Sequence, residues 1–200
     1  MDGDFSPLKQ IVDICEAHNA YLIVDEAHTG AVFGALGKGV IHKEDLTHRI
    51  FARIMTFGKG YGFHGAVILG AITLKDYLIN FSRSFIYSTA LPVGDYTKIK
   101  SLVGDLNIGE KQNKLEKNIA LFRRLNEKLS FSSDIKSPIQ ILEFSDISLL
   151  PKVVKKIKEK GIYTKSILPP TVPEGKSRLR ICIHSYNTKE EIELISSALK

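Results

Sequence analysis

The stretch YLIVDEAH, residues 21–28, begins with an uninterrupted apolar run that ends at two adjacent acids. A short run of this kind, after a helical pattern, predicts a central parallel strand that is covered on both faces. Side chains at the carboxyl end of such a strand point into the crevice where α/β proteins bind ligands. Asp25 and His28 are therefore the first candidate site residues, and helix capping by Asp25 is the simpler alternative.

The second predicted strand, residues 53–57, leads into the motif TFGKGYG at residues 56–62. Glycines on both sides of Lys59 allow the backbone to approach a ligand closely. A lysine that forms a Schiff base needs partial desolvation, so that its amine can be neutral. Taken by itself, an exposed loop lysine is the simpler interpretation.

Outward from these two motifs, strands alternate with loops and helices as far as Pro92, which predicts an α/β layer architecture. Ser6 as cap and Pro7 at the first helical position predict the start of the first helix. A third strand is expected at residues 66–69. The expected partial large domain covers residues 1–94.

The pattern then becomes helical over residues 95–130, with a bend at Gly109, and we expect this stretch to connect two domains. Residues 131–200 predict a small α+β domain. Its last helix has Thr188 as its cap and Glu191 at the capping-box position.

The strand predicted at residues 178–184 carries two arginines. Alternation along a strand places Arg178 and Arg180 on the same face. An arginine there can hold a substrate carboxylate through two parallel hydrogen bonds. For either residue alone, a surface arginine is the simpler interpretation.

Composition argues against several classes of function. The chain has 200 residues and a formal net charge of +6. The excess lysines lie in two helical stretches with few aromatic residues among them, which argues against a nucleic-acid surface. No apolar run is long enough to cross a membrane, and the polar start MDGD is neither a signal nor a transit peptide, so cytoplasmic residence is expected. Cys15 and Cys182 are isolated, which predicts buried thiols and no metal site.

An acid at one strand end, a lysine after the next and an arginine in a small following domain resemble the fold-type I pyridoxal-phosphate enzymes. Within that group the sequence motifs are similar to those of the α-oxoamine synthase family. The resemblance implies the C-terminal part of the large domain and a small α+β C-terminal domain. The motifs follow the order of the family over essentially the whole chain: YLIVDEAH at 21–28, FG at 33–34, TFGKG at 56–60, YSTALP at 87–92, PPTVP at 169–173 and RLR at 178–180.

The resemblance also implies roles toward pyridoxal 5'-phosphate. Lys59 matches the Schiff-base lysine, which later moves protons at the α-carbon of the substrate. Asp25 matches the residue that keeps the pyridine nitrogen protonated. His28 matches the histidine that hydrogen-bonds the phenolic oxygen of the ring, and Thr56 matches a phosphate ligand.

Three further matches concern partners. Ser88 and Thr89 match the segment that reaches the phosphate from a neighbouring subunit, which implies a homodimer with shared active sites. Arg180 matches the arginine that binds the carboxylate of the amino acid, and Arg178 is the second choice.

The implied reaction condenses an amino acid with an acyl-CoA and releases CO2 and CoA. The motif TFGKGYGFHGAVILG at residues 56–70 is most similar to the branch of the family that uses alanine and pimeloyl-CoA in biotin biosynthesis. The motif TGA at residues 29–31 is shifted by one position against the family pattern. The amino acid and the acyl chain therefore stay open.

Residues 1–4 match an internal stretch of the family, so we expect a fragment, a truncated reading frame or one part of a split enzyme. The missing N-terminal half would carry the aromatic residue that stacks on the cofactor. The chain alone is therefore expected to bind pyridoxal phosphate weakly, and its sheet to have an open edge.

Three alternatives stay open. One is another oxoamine synthase that uses glycine or serine with a different acyl-CoA. The second is a non-catalytic remnant that acts as an interaction module, against which the retained Asp25, His28, Lys59 and Arg180 argue. The third is a helicase, suggested by the letters DEAH, but the chain has no GxxxxGK[ST] phosphate loop.

Overall fold

The computed structural model describes residues 2–144 and 146–199. The chain divides into two compact units. The first unit is residues 7–112, and the second unit is residues 1–6 together with 113–200. The division falls inside the stretch 95–130 that the sequence predicts as a connection. Strands and helices occur in both units, so the α/β character expected of the chain is confirmed.

Three strands form the sheet of the first unit: β1 is Ile23–Asp25, β2 is Ala52–Thr56 and β3 is Ala66–Gly70. They lie in the order β1-β2-β3. β1 and β2 run parallel, and β2 and β3 run antiparallel. The strands predicted at residues 53–57 and 66–69 are confirmed to within one residue at each end.

The position of β1 corrects one expectation. The sequence predicts a central strand covered on both faces, but β1 has one neighbouring strand in the part of the chain that the structure describes. Ile23 is consequently 57% exposed, and the side chain of Asp25 is exposed as well. An apolar run indicates that both faces of a strand can be buried. It does not indicate that residues of the same chain cover both faces.

Five helices and the start of a sixth complete the first unit. They are α1 (Leu8–Ala17), α2 (Val40–Lys43), α3 (Ile72–Phe81), α4 (Arg83–Ile86), α5 (Val93–Val103) and α6 (Ile108–Leu125), which continues into the second unit. The core of α1 and α2 against the sheet contains Val12, Ile41 and Leu46.

Two predicted helix boundaries are wrong by small amounts. Pro7 occupies the N-cap position of α1, and no side chain caps this end, so Ser6 is not the cap. The break between α5 and α6 lies before Gly109, which is inside α6. α5 ends at Val103, and the side chain of Asp105 holds the turn before α6, because its Oδ1 accepts a hydrogen bond from the N–H of Asn107 at 2.9 Å.

The second unit contains an antiparallel sheet in the order β4-β6-β5. The strands are β4 (Ile139–Glu143), β5 (Lys165–Ile167) and β6 (Arg178–Cys182), and the helices that follow α6 are α7 (Leu149–Glu159) and α8 (Lys189–Leu199). Its largest fully buried side chains are Phe122, Ile141, Leu150, Ile157, Leu179 and Ile192. β5 was not expected from the sequence, because three residues are too short for a periodic pattern.

The capping box of α8 is present as predicted. The hydroxyl of Thr188 accepts a hydrogen bond from the N–H of Glu191 at 3.2 Å, and the Glu191 carboxylate accepts one from the N–H of Thr188 at 3.0 Å. This reciprocal pair satisfies two of the free N–H groups at the start of the helix.

The cysteines differ from expectation. Cys182 is exposed and Cys15 is half-buried, so the predicted burial of both thiols is wrong. Cys182 is the last residue of β6; it pairs with Ile139 of β4 and lies beyond the residues of β6 that pair with β5. No helix in the described ranges is long and apolar enough to span a membrane.

Candidate active site

Two of the predicted site residues end neighbouring parallel strands. Asp25 is the last residue of β1, and Thr56 is the last residue of β2. Asp25 lies opposite Ile54 in the register, and residues two apart on a strand share a face. The Asp25 carboxylate and the Thr56 hydroxyl therefore project from the same face at the same end of the sheet.

The hydroxyl of Thr56 is buried and has no hydrogen-bond partner among the described residues. Leaving a buried polar group unpaired costs about 1–3 kcal/mol, so such groups normally meet a ligand or water. A hydroxyl at a strand end can donate to a phosphate oxygen. Thr56 thus fits the phosphate ligand that the family resemblance implies.

Asp25 is held by the turn that follows it. Its Oδ1 accepts a hydrogen bond from the N–H of Ala27 at 2.8 Å, while the carboxylate as a whole stays exposed. The next helical segment begins only at Ala35, so this hydrogen bond closes a turn, and the helix-capping role that the sequence left open is not found. The burial expected around Asp25 is absent in this chain, because β1 is an edge strand. His28 lies in the same turn and is also exposed.

Lys59 lies in the lysine loop, residues 57–65, which joins β2 to β3. The base of this loop is closed by hydrogen bonds from the N–H of Phe57 to the carbonyl of Gly65 at 2.9 Å and from the N–H of Phe63 to the carbonyl of Phe57 at 2.7 Å. Lys59 is exposed, together with the glycines on either side. The partial desolvation that a Schiff-base lysine needs is thus not provided by this chain alone.

A second loop packs against the lysine loop. This acid loop, residues 26–39, follows Asp25, and the hydroxyl of Tyr61 donates to its Gly37 carbonyl at 3.1 Å. Burial raises the pKa of Tyr61, so the phenol remains a donor at neutral pH. Gly60 comes so close that a methyl group on it would lie 2.5 Å from the carbonyl oxygen of Gly30.

Sequence reasoning missed the residues that hold the acid loop. Glu26 and Arg53 form a buried ion pair with a distance of 2.7 Å between Arg53 Nε and Glu26 Oε2. The only sequence signal was an acid directly after Asp25 and an arginine inside an apolar strand. Neither fixes a pair across 27 residues of chain.

Ser88 and Thr89 follow α4 and are both exposed. The hydroxyl of Ser88 donates to the carbonyl of Ser84 within its own segment. Their predicted role concerns a neighbouring subunit, and it stays a prediction.

In the second unit, the two candidate arginines have different surroundings. Arg178 is buried, with its Nη1 2.9 Å from the Asp2 carboxylate and its Nε donating to the Lys176 carbonyl at 3.0 Å. Arg180 is half-buried, and its Nε is buried without a hydrogen-bond partner among the described residues. The Nε of Arg180 is therefore a buried donor that is available to a ligand, whereas the Nε of Arg178 is already bonded.

Comparison with known sequences identifies a family and similar proteins that share one name. A family model described as aminotransferase class I and II matches residues 1–199. An 8-amino-7-oxononanoate synthase of Emericella nidulans is 39% identical over 96% of this chain and 50% of its own length. One from Photorhabdus laumondii is 35% identical over 100% of this chain and 52% of its own length. The chain thus spans about half the length of the relatives it matches.

Solved structures agree. The 8-amino-7-oxononanoate synthase of Francisella tularensis is similar with a TM-score of 0.82 at 28% identity, over 100% of this chain and 60% of that one. A serine palmitoyltransferase, solved with its pyridoxal-phosphate internal aldimine, has a TM-score of 0.88 at 25% identity, over 99% of this chain and 52% of that one. The predicted resemblance to oxoamine synthases is confirmed. The chain belongs to the aminotransferase class I and II family.

Proposed function

We propose that this chain forms the lysine-bearing part of a pyridoxal-phosphate-dependent acyltransferase. The enzyme condenses an amino acid with an acyl-CoA and releases CO2 and CoA, as in 8-amino-7-oxononanoate synthase of biotin biosynthesis. Alanine is the expected amino acid. The observation that carries the proposal is the placement of Asp25 and Thr56 at one end of the sheet, with Lys59 in the loop that follows.

The residues present fit pyridoxal phosphate. The unpartnered hydroxyl of Thr56 would bind the phosphate, and Asp25 would pair with the ring nitrogen through a carboxylate that is still accessible. His28 would contact the phenolic oxygen of the ring. When bound, the cofactor supplies an electron sink for negative charge at the α-carbon of the amino acid.

The chain's own side chains would then handle binding and protons. The Lys59 amine binds the cofactor and afterwards takes and returns the proton at the α-carbon of the substrate. The Arg180 guanidinium orients the amino acid through its carboxylate. The free Nε of Arg180 supports this role, and the bonded state of Arg178 argues against the second choice.

The exposed surface supports a partner polypeptide. The segment from α3 to α4 carries large apolar side chains in solvent, among them Phe81 at 66% and Phe85 at 62% exposure. Exposed apolar groups in such number mark interaction surfaces. We propose that they meet a second copy of the chain in a homodimer, whose Ser88 and Thr89 reach the neighbouring phosphate, or the polypeptide equivalent to the unmatched half of the relatives.

The test is a titration of the chain with pyridoxal phosphate, followed by borohydride reduction and peptide mapping. The proposal predicts label on Lys59 and none on the exposed lysines of α7 at the same ratio. Lys59→Ala removes the label, whereas Lys38→Ala, a lysine of the acid loop, leaves it in place. Label spread over many lysines, with Lys59 no more reactive than the others, would overturn the proposal.

A second oxoamine synthase activity is supported by the similarity to serine palmitoyltransferase. Product analysis separates the candidates, because alanine, glycine and serine give products of different mass with the same acyl-CoA. An assembled protein that labels at Lys59 but condenses none of the three amino acids would favour the non-catalytic remnant.

A further inference from the structure

The first unit contains a buried ion pair whose function the proposed reaction does not explain. The side chains of Arg53 and Glu26 are 9% and 3% exposed. Removing two such charges from water costs about as much as their mutual attraction returns, so a buried pair of this kind is weak evidence for stability. The pair is better explained by the geometry that it enforces.

The carboxylate of Glu26 ties the acid loop together. Its Oε1 accepts hydrogen bonds from the Thr29 hydroxyl at 2.9 Å and from the Ile41 N–H at 3.0 Å. Gly39 lies directly against it, since a methyl group there would be 2.4 Å from Oε1. The start and the end of the acid loop are therefore held on one side chain.

Arg53 joins the same loop to the central strand. Its Nη2 donates to the Lys38 carbonyl at 2.6 Å, while its backbone belongs to β2, three residues before Thr56. The guanidinium thus fixes the acid loop relative to the strand that carries Thr56 and leads into Lys59.

The lysine loop packs against the acid loop, which Glu26 and Arg53 hold in place. The carbonyl of Gly37 accepts hydrogen bonds from the Tyr61 hydroxyl at 3.1 Å and from the Ala31 N–H at 2.9 Å. Gly60 also packs against Gly30, so closely that there is no room for a side chain at position 60. Both contacts are made by the two residues that directly follow Lys59.

We infer that Glu26, Arg53 and Tyr61 are positioning residues that hold the lysine loop, and with it the Lys59 amine, at a fixed place beside Thr56 and Asp25. None of the three is expected to touch the substrate. The inference rests on the proposed function of Lys59, but its structural part can be tested without any cofactor.

The structural test is amide hydrogen exchange of the whole chain, comparing the unmodified protein with Tyr61→Phe. Tyr61→Phe removes one oxygen atom and keeps the ring, so the fold is retained. We expect exchange in residues 57–63 and 30–37 to become about three- to tenfold faster, the loss expected for one hydrogen bond between loops. The matched control is Tyr163→Phe, whose ring is 87% exposed. Unchanged exchange in both loops of Tyr61→Phe would refute the inference.

Two alanine variants test the same contact by sterics. Gly60→Ala places a methyl group 2.5 Å from the Gly30 carbonyl oxygen, whereas Gly58→Ala meets only the Phe63 carbonyl oxygen at an ordinary 3.6 Å. Exchange of residues 30–37 should rise in Gly60→Ala and stay unchanged in Gly58→Ala. Equal effects of the two substitutions on residues 30–37 would contradict the inference.

The chemical test is the rate of borohydride-trapped labelling of Lys59 by pyridoxal phosphate. Tyr61→Phe should be labelled about three- to tenfold more slowly, with Tyr163→Phe at the rate of the unmodified chain. Absence of label on Lys59 in the unmodified chain would refute the proposed function, and the exchange result would still decide whether the loops are coupled. Label on Lys59 in the unmodified chain, with an equal rate in Tyr61→Phe, would refute the positioning role alone.

Discussion

Two arginines of this chain have the same side chain but different surroundings. Arg178 and Arg180 stand on the same face of β6, two residues apart. Asp2 and the Lys176 carbonyl engage Arg178, while the Nε of Arg180 has no partner among the described residues. A guanidinium that is already bonded stabilises the fold, and one with a free donor can bind a ligand.

The two arginines should therefore separate in mutagenesis. In the assembled enzyme, Arg180→Lys should raise the KM for the amino acid about tenfold or more, because lysine cannot replace a bidentate contact to a carboxylate. It should leave the thermal stability of the chain nearly unchanged. Arg178→Lys should do the opposite, lowering Tm with little change in KM. Steady-state kinetics and a thermal melt give both values, and the reverse pattern would show that Arg178 is the substrate arginine.

Tyr61 should make the stability of the chain sensitive to alkaline pH. Its folded-state pKa is raised by burial, so the protonated phenol is favoured in the folded state. The resulting stabilisation is present below the unfolded pKa of about 10 and is lost as the pH rises through the folded pKa. Urea unfolding between about pH 8 and 11 should show the unmodified chain losing its advantage over Tyr61→Phe only above about pH 10. A constant difference across that range would contradict the assignment.

Among the helices and strands, local sequence signals succeed where the partners are close along the chain. The capping box of α8 joins residues three apart and is predicted correctly. The turn before α6 is held by the Asp105 side chain, and the glycine signal at Gly109 does not reveal it. Helix ends are set by side-chain hydrogen bonds as much as by glycine, so a lone glycine is a weak signal of a break.

Removing the capping box should weaken the second unit. Thr188→Ala deletes the hydroxyl that accepts the Glu191 N–H, and it should lower the free energy of unfolding by about 1 kcal/mol. Thr188→Ser keeps the acceptor and should recover most of that loss. Urea denaturation followed by circular dichroism measures the difference. An equal effect of both substitutions would mean that the methyl group of Thr188, not its hydroxyl, is what matters.

Over the whole molecule, more large apolar side chains are exposed than is usual for a protein that has no partner. Ile23 and Ile68 project from one face of the first sheet, and Phe81 and Phe85 from α3 and α4. Burying apolar surface is worth about 25 cal/mol per Å², which favours covering these groups by another polypeptide.

The chain should therefore associate as its concentration rises. Sedimentation velocity should show a growing fraction of dimer or larger species for the unmodified chain. Phe85→Ser should reduce this fraction without lowering the melting temperature, because Phe85 is 62% exposed within the chain. A chain that stays monomeric at all concentrations would remove the surface evidence for a partner.

Cofactor affinity should depend on the same partner. Lys59 and Asp25 are both exposed in the chain alone, so pyridoxal phosphate should bind it weakly. Co-expression with a polypeptide equivalent to the unmatched half of the relatives should tighten binding about tenfold or more, because desolvation strengthens the charged contacts. Visible absorbance of the Lys59 adduct during titration measures the affinity. Tight, stoichiometric binding by the chain alone would show that the expectation is wrong.

The three strands of the first unit, the position of Asp25 at the end of an apolar run, the lysine loop and the family follow from the sequence alone, because they depend on periodicity and on motifs that are contiguous along the chain. Three features required the folded structure: the place of β1 at the edge of its sheet, the unbonded Nε of Arg180 beside the bonded Nε of Arg178, and the contacts by which Glu26, Arg53 and Tyr61 hold the two loops. Tyr61 meets Gly37 across 24 residues, and Arg53 meets Glu26 across 27. Such pairs form because the folded chain removes both groups from water and places them next to each other. A local sequence pattern does not predict which two groups will meet in this way.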